Sequence, residues 1–289
     1  MEKTDKLRVT IQGIEGCFHD AAAREYFSDR DIEPVPFNTF HEMFDALDTD
    51  ASLVGIVAIE NTIAGSLLQN HELLRQHNLS VIGEHKKRIS HVLAALPGQT
   101  IDSLNEVKSH PMALMQCEQY LLRHPNLKMT ETFDTAGSAR DIADNKLSGQ
   151  AAVCGEYAAN LYNLEILEKG IETNRRNFTR FLIVTNSLLA SEIGPKENEI
   201  NKASIVFTLP HTGGALSKIL TVLSFYDINL SKIQSMPIIG REWEYRFYVD
   251  LTFDSLVRYR QSIDAVRPLT NDITILGEYK EFITPPEEN

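Results

Sequence analysis

Three short polar clusters in this 289-residue chain hold residue types that bind small anions and act on them. Asn177-Phe178-Thr179-Arg180-Phe181 sets an amide, a hydroxyl, a guanidinium and an aromatic ring at the start of an apolar strand. A guanidinium grips a carboxylate through two parallel charge-assisted hydrogen bonds, and a nearby hydroxyl can donate to a departing oxygen. Glu60-Asn61-Thr62 closes the apolar run 53–59 with a carboxylate, an amide and a second hydroxyl. Lys108-Ser109-His110-Pro111 follows a third strand, with Gln116 and Cys117 on the helix behind it. Ligands of open α/β sheets bind at strand ends, where all three clusters stand. Each also has a plain structural reading. Thr179 serves equally as a β-branched strand former and Arg180 as a surface cation, Asn61 and Thr62 as a turn and helix cap, and His110 as a structural hydrogen-bonder. No nucleotide-cradling glycine loop is present, and Cys17, Cys117 and Cys154 lack the spacing of a disulfide framework or zinc site, so no cofactor and no metal is expected.

The elements that must position these clusters read as α/β. Apolar strands at 7–12, 53–59, 89–96, 106–109, 129–133, 151–154 and 181–185 alternate with helical periodicity at 112–123 and 136–146, the latter with Thr135 as its N-cap. This alternation predicts a parallel sheet covered on both faces. Residues 191–202 lose apolar periodicity and gather Gly, Pro and charge, as an exposed linker does. Beyond it, strands at 204–209, 228–234, 245–253 and 273–279 and helices at 215–225 and 255–266 give the βαββαβ order of a ferredoxin-like sheet. Along 245–253, Tyr245, Phe247, Val249, Leu251 and Phe253 alternate with polar neighbours, which predicts one buried face. Gly213-Gly214-Ala215-Leu216 opens the first of these helices. Its free N–H groups suit an amino acid's carboxylate, or the glycines serve the turn alone.

Composition narrows the partners. Hydrophobic residues at 43% and charged residues at 24% are ordinary for globular domains with sizeable cores. Forty acidic against 28 basic residues give a net charge of -12, which repels polyanions, so no nucleic acid is expected. The charged start Met1-Glu2-Lys3-Thr4-Asp5-Lys6 lacks the apolar region that export needs, and no stretch is apolar enough for a bilayer; a cytoplasmic protein without membrane contact is expected.

Together the motifs resemble the prephenate dehydratase family, whose signatures are Gly-x-x-Gly-Thr-Phe-Ser, Glu-Asn-Ser, Ser-His-Pro with Gln-Cys downstream, and Asn-x-Thr-Arg-Phe. The counterparts here are residues 13–19, Glu60-Asn61-Thr62, Ser109-His110-Pro111 with Gln116-Cys117, and residues 177–181. Cys17 and His19 replace the usual Thr and Ser, and Thr62 replaces Ser. The second domain resembles the ACT modules that bind phenylalanine. The resemblance implies a two-lobed, periplasmic-binding-protein-like catalytic domain over 1–190 with a cleft, a linker over 191–202 and an ACT domain over 203–283. It implies conversion of prephenate to phenylpyruvate in phenylalanine biosynthesis, L-phenylalanine as allosteric effector, and a homodimer or homotetramer. Under it Thr179 and Arg180 are catalytic, Asn61, Thr62, Ser109, Gln116 and Phe181 bind substrate, and Gly214, Ala215, Leu216, Asn229, Leu230, Gln234 and Ser235 bind the effector. Gln234-Ser235-Met236-Pro237 stands where the family has Glu-Ser-Arg-Pro, without either charge. Two rival readings are arogenate dehydratase and a non-catalytic amino-acid-binding protein on a two-lobed receptor-like fold.

Overall fold

The structure is a computed structural model that describes residues 6–283, so the charged start Met1 to Asp5 lies outside the described residues. In chain order the elements are β1 (Leu7–Gln12), α1 (Phe18–Tyr26), β2 (Ile32–Phe37), α2 (Phe40–Thr49), β3 (Leu53–Asn61), β4 (Gly65–Ser66), α3 (Leu68–Gln76), β5 (Ser80–Arg88) and β6 (Val92–Ala95). There follow β7 (Glu106–Ser109), α4 (Pro111–Gln116), α5 (Glu118–Leu121), β8 (Lys128–Glu131), α6 (Thr135–Asp144), β9 (Gln150–Cys154), α7 (Glu156–Leu161), β10 (Glu165–Lys169) and β11 (Phe178–Thr185). The last third holds α8 (Ser187–Ile193), β12 (Lys202–Thr208), α9 (Ala215–Phe225), β13 (Asn229–Pro237), β14 (Tyr245–Thr252), α10 (Leu256–Val266) and β15 (Asp272–Tyr279).

Among the described residues three sheets form, in the orders β2-β1-β3-β11-β5 with β4 beside β3, β10-β6-β9-β7-β8, and β13-β14-β12-β15. The second sheet corrects the all-parallel expectation. β7 runs parallel to β8 and β9, but β6 runs antiparallel to both β9 and β10. The neighbours of β6 are β9 and β10, not β5, which lies in the first sheet. The strand predicted over 89–96 is present as β6 but shorter, Val92–Ala95, because residues 89–91 connect it to β5.

Other boundaries moved for local reasons. The helix predicted over 112–123 breaks at Cys117, whose φ of −103° and ψ of 12° leave the helical region. Helix α6 is capped by Asp134 rather than Thr135, because the Asp134 carboxylate accepts the Gly137 N–H at 2.7 Å. The predicted linker is partly ordered: α8 runs to Ile193, and Lys202 is already a buried residue of β12.

The chain divides into two compact units, Met1–Met43 with Ile56–Gly65 and Lys86–Arg180, and Phe44–Gly55 with Ser66–His85 and Phe181–Asn289. In the first, Leu93, Val107, Leu114, Tyr120 and Val153 centre a core beneath the second sheet. In the second, α9 and α10 pack Ile219, Leu223, Tyr259 and Ile263 onto Ile205, Phe207, Val249 and Leu251.

The one-sided burial predicted for β14 does not hold, since Tyr248 and Asp250 on its other face are buried too. Within this unit α3 covers that face. The Tyr248 hydroxyl donates to Glu72 at 2.8 Å, Arg246 pairs with Glu72 at 3.1 Å, and the His71 ring meets Tyr248 edge-on at 5.1 Å. Gly277 on β15 marks a close backbone approach: a Cβ there would lie 2.1 Å from the Val81 carbonyl. Among the described residues no helix is long and apolar enough to cross a membrane.

Candidate active site

The site is built on one amide whose orientation its own backbone dictates. Asn61 ends β3, and its Oδ1 accepts the N–H groups of Ile63 at 2.9 Å and Ala64 at 2.8 Å. A peptide N–H only donates, so the oxygen is fixed there and the NH₂ faces the other way. That NH₂ reaches Asn177 Oδ1 at 2.8 Å, Thr179 Oγ1 at 3.0 Å and the Phe178 carbonyl at 3.2 Å. Thr179 therefore receives a hydrogen from Asn61 and keeps its own to give. Among the described residues no protein acceptor takes that hydrogen. With Asn177 Oδ1 occupied, Asn177 Nδ2 donates to Gln116 Oε1 at 2.9 Å, which turns the Gln116 NH₂ outward. Two backbone amides thus set the polarity of an array that links β3, β11 and α4. Thr62 straps it: its hydroxyl donates to the Arg176 carbonyl at 3.0 Å and accepts the Phe178 N–H at 2.9 Å.

Arg180 does not join this array. Successive residues of a strand point to opposite faces, and the partners agree: Thr179 meets Asn61, while Arg180 lies 3.8 Å from Glu60. Strand alternation thus sets the Thr179 and Arg180 side chains on opposite faces of β11. Two assignments change. Ser109 is fully buried and donates to the Val153 carbonyl at 2.5 Å, and Phe181 is 1% exposed, so neither offers a surface to a ligand. His110 takes its structural reading, capping α4 by accepting the Met112 N–H at 3.2 Å ahead of Pro111.

Residues 13–17 form a turn leading into α1, with Gly13 at φ 109° and Gly16 at φ 93°, and a Cβ on Gly13 would press on Asp134 and Cys17. Burial pushes the Cys17 thiol up to about 12 and the His19 imidazole down to about 4. The thiol stays protonated and the imidazole neutral at physiological pH, so this pair is no thiolate–imidazolium nucleophile.

Sequence reasoning missed two groups beside the array. His91 Nε2 lies 3.0 Å from Gln116 Oε1, and buried Glu172 accepts the His91 N–H at 2.9 Å, the Ser90 hydroxyl at 3.2 Å and Arg88 at 3.2 Å. The one sequence signal was a polar pair, Ser90-His91, immediately ahead of the apolar run 92–95.

The profile of the prephenate dehydratase family matches residues 9–188. This chain belongs to the prephenate dehydratase family. As a member it is a dehydratase, a carbon–oxygen lyase. An Arabidopsis thaliana relative, arogenate dehydratase/prephenate dehydratase 2, chloroplastic, is 36% identical over 286 residues, covering 95% of this chain and 73% of its own. The structure of GqqA, described as a novel type of quorum quenching acylase, matches with a TM-score of 0.83 at 26% identity, over 95% of this chain and 98% of that one. Prephenate dehydratase from Arthrobacter aurescens, solved in complex with L-Phe, shares the fold with a TM-score of 0.82 at 24% identity, over 96% of this chain and 93% of its own.

In this prephenate dehydratase family member the segments expected to hold an effector fall in two places. Gly214, Ala215 and Leu216 line an open cavity of about 440 Å³ with Trp243, Glu244 and Tyr245. Gly214 caps α9 at φ 78°, a conformation that favours glycine. Asn229, Leu230, Gln234 and Ser235 do not line that cavity. They lie on β13, at the edge of the third sheet, where the Asn229 amide donates to Thr252 Oγ1 at 3.0 Å and the Gln234 amide to the Ser235 carbonyl at 2.9 Å.

Proposed function

We propose that this enzyme converts prephenate to phenylpyruvate, with the Thr179 hydroxyl as the donor to the leaving oxygen. The observation that carries the reading is the direction of the Asn61–Thr179 hydrogen bond, which leaves the hydroxyl hydrogen of Thr179 unspent. The reaction takes up one proton and releases carbon dioxide and water; the ring becomes aromatic, which drives it. An aliphatic hydroxyl is a poor acid, so Thr179 acts by hydrogen bonding to the developing hydroxide rather than by giving up its proton outright. The bond from Asn61 polarises the Thr179 O–H and strengthens it as a donor. Gln116 Nε2, turned outward, supplies a second donor suited to a carboxylate or carbonyl oxygen of the substrate. Arg180 stands beside Glu60 at 3.8 Å on the other face of β11, a guanidinium suited to a second carboxylate.

The reading extends to organisation and control: a two-lobed catalytic domain over 1–190, a linker over 191–202 and a phenylalanine-binding ACT domain over 203–283, assembled as a homodimer or homotetramer. The L-Phe complex of the Arthrobacter aurescens protein supports an amino-acid effector, and the cavity at the start of α9 supplies helix N–H groups for its carboxylate. The relative named for both arogenate and prephenate supports arogenate as the competing substrate.

Turnover of prephenate and arogenate by the parent and by Thr179→Val and Thr179→Ser tests the assignment. Thr179→Val is expected to lose about a hundredfold or more in kcat, with Thr179→Ser far less affected. Near-parental turnover by Thr179→Val removes Thr179 from the mechanism.

A further inference from the structure

We propose that His91 is a positioning residue for the elimination, holding the Gln116 amide in the orientation that presents its NH₂ to the substrate. The inference rests on the reading given above and adds a residue to it. It follows from the polarity of the array. Ile63 and Ala64 fix Asn61, Asn61 fixes Asn177, and Asn177 fixes Gln116 with its oxygen inward. An oxygen that faces His91 Nε2 at 3.0 Å requires a donor there, so the ring carries its hydrogen on Nε2. Two donors, from Asn177 and His91, then converge on one Gln116 oxygen.

The ring is placed to hold that hydrogen steady. His91 is 2% exposed, and Phe18 meets it edge-on at 5.5 Å. Its backbone N–H is gripped by Glu172, and its carbonyl accepts the N–H groups of Gly170 at 3.0 Å and Ile171 at 3.2 Å. The next peptide, Thr173, donates to the Gln116 carbonyl at 2.8 Å, so residues 170–173 fix the backbones of both partners. Nδ1 is buried without a hydrogen-bond partner, which disfavours a second hydrogen on the ring. Burial lowers the His91 pKa in the same sense, keeping the neutral Nε2–H form.

Variants that differ only in that donor isolate the role. His91→Gln carries an N–H at about the position of Nε2, whereas His91→Met has similar length and no donor; His91→Phe keeps the ring volume should His91→Met fail to fold. kcat and KM are measured for each with the substrate that the parent turns over, and again in a Gln116→Ala background. His91→Gln is expected within about twofold of the parent, and His91→Met to lose about twofold to tenfold in kcat/KM, mainly through KM, the worth of one hydrogen bond. In the Gln116→Ala background the Gln and Met variants should converge. Equal kcat/KM for folded His91→Gln and His91→Met overturns the proposal, as does a difference that persists undiminished without Gln116. Failure of the underlying reading looks different: the parent itself then releases no product from prephenate or arogenate.

Discussion

Replacing Asn61 by Asp tests the polarity of the site more sharply than removing the side chain. Asn61→Asp keeps an oxygen for the Ile63 and Ala64 amides but sets a second oxygen before three acceptors, Asn177 Oδ1 at 2.8 Å, Thr179 Oγ1 at 3.0 Å and the Phe178 carbonyl at 3.2 Å. The Phe178 carbonyl has no hydrogen to offer. Asn177 can turn its amide over, and Thr179 can rotate its hydroxyl, which spends on the new carboxylate the hydrogen meant for the leaving group. Loss of one preorganised donor costs about 100- to 1,000-fold in kcat, or about 2.7–4 kcal/mol of transition-state stabilisation. Unpaired contact with the Phe178 carbonyl adds about 1–3 kcal/mol of lost fold stability. Asn61→Ala removes the donor to Thr179 yet leaves the hydroxyl hydrogen free, so its kcat should fall less than that of Asn61→Asp. Initial rates of phenylpyruvate formation at saturating prephenate, with thermal unfolding of each variant as a control, give the comparison. Should folded Asn61→Asp turn over faster than Asn61→Ala, the polarity argument is wrong.

Two predictions concern the second unit. Burial alone would raise the Glu72 carboxyl, but hydrogen bonds from Arg75, Tyr248 and Gln76 outweigh it and hold the group at about 2. A folded value below the unfolded one contributes stability that is present above pH 4.5 and lost as pH falls toward 2, so Glu72→Gln should flatten the decline in the thermal midpoint across that window; equal slopes would refute the linkage. Lys202 Nζ pairs with Glu84 at 2.9 Å, and both side chains are almost fully buried. Lys202→Met should cost about 3–5 kcal/mol in urea unfolding by taking the cation from a buried carboxylate that keeps its bond from the Phe282 N–H, and adding Glu84→Leu should recover part of it. A single variant as stable as the parent would show that Glu84 finds other compensation.

Periodicity made the last third of the chain legible, because the stripe of α9 and the alternation along β13 and β14 repeat along the sequence. β2 escaped notice because Pro34 and Pro36 argue against a strand; it lies at the edge of its sheet, where proline is tolerated. β5 escaped because its second half, His85-Lys86-Lys87-Arg88, reads as a solvated charge run. In β14 the alternation was real, yet Glu72 and His71 bury the polar face, a contact 176 residues apart for Tyr248 that no local pattern encodes. At the site, the motifs singled out Asn61, Gln116 and Thr179, which one hydrogen-bonded array connects through Asn177. They could not reveal which atom of each amide faces which partner, because that depends on the Ile63 and Ala64 peptides, nor that strand alternation parts Thr179 from Arg180.

The turn after β3 gives the site an unusual tolerance. Its direction is imposed by the peptide groups of residues 63 and 64, so the side chains there are free to drift in size and polarity over evolution without disturbing the chemistry. Proline alone is barred from both positions, since it brings no N–H, and a lineage that acquired one would lose the compass by which every amide from Asn61 to Gln116 is oriented.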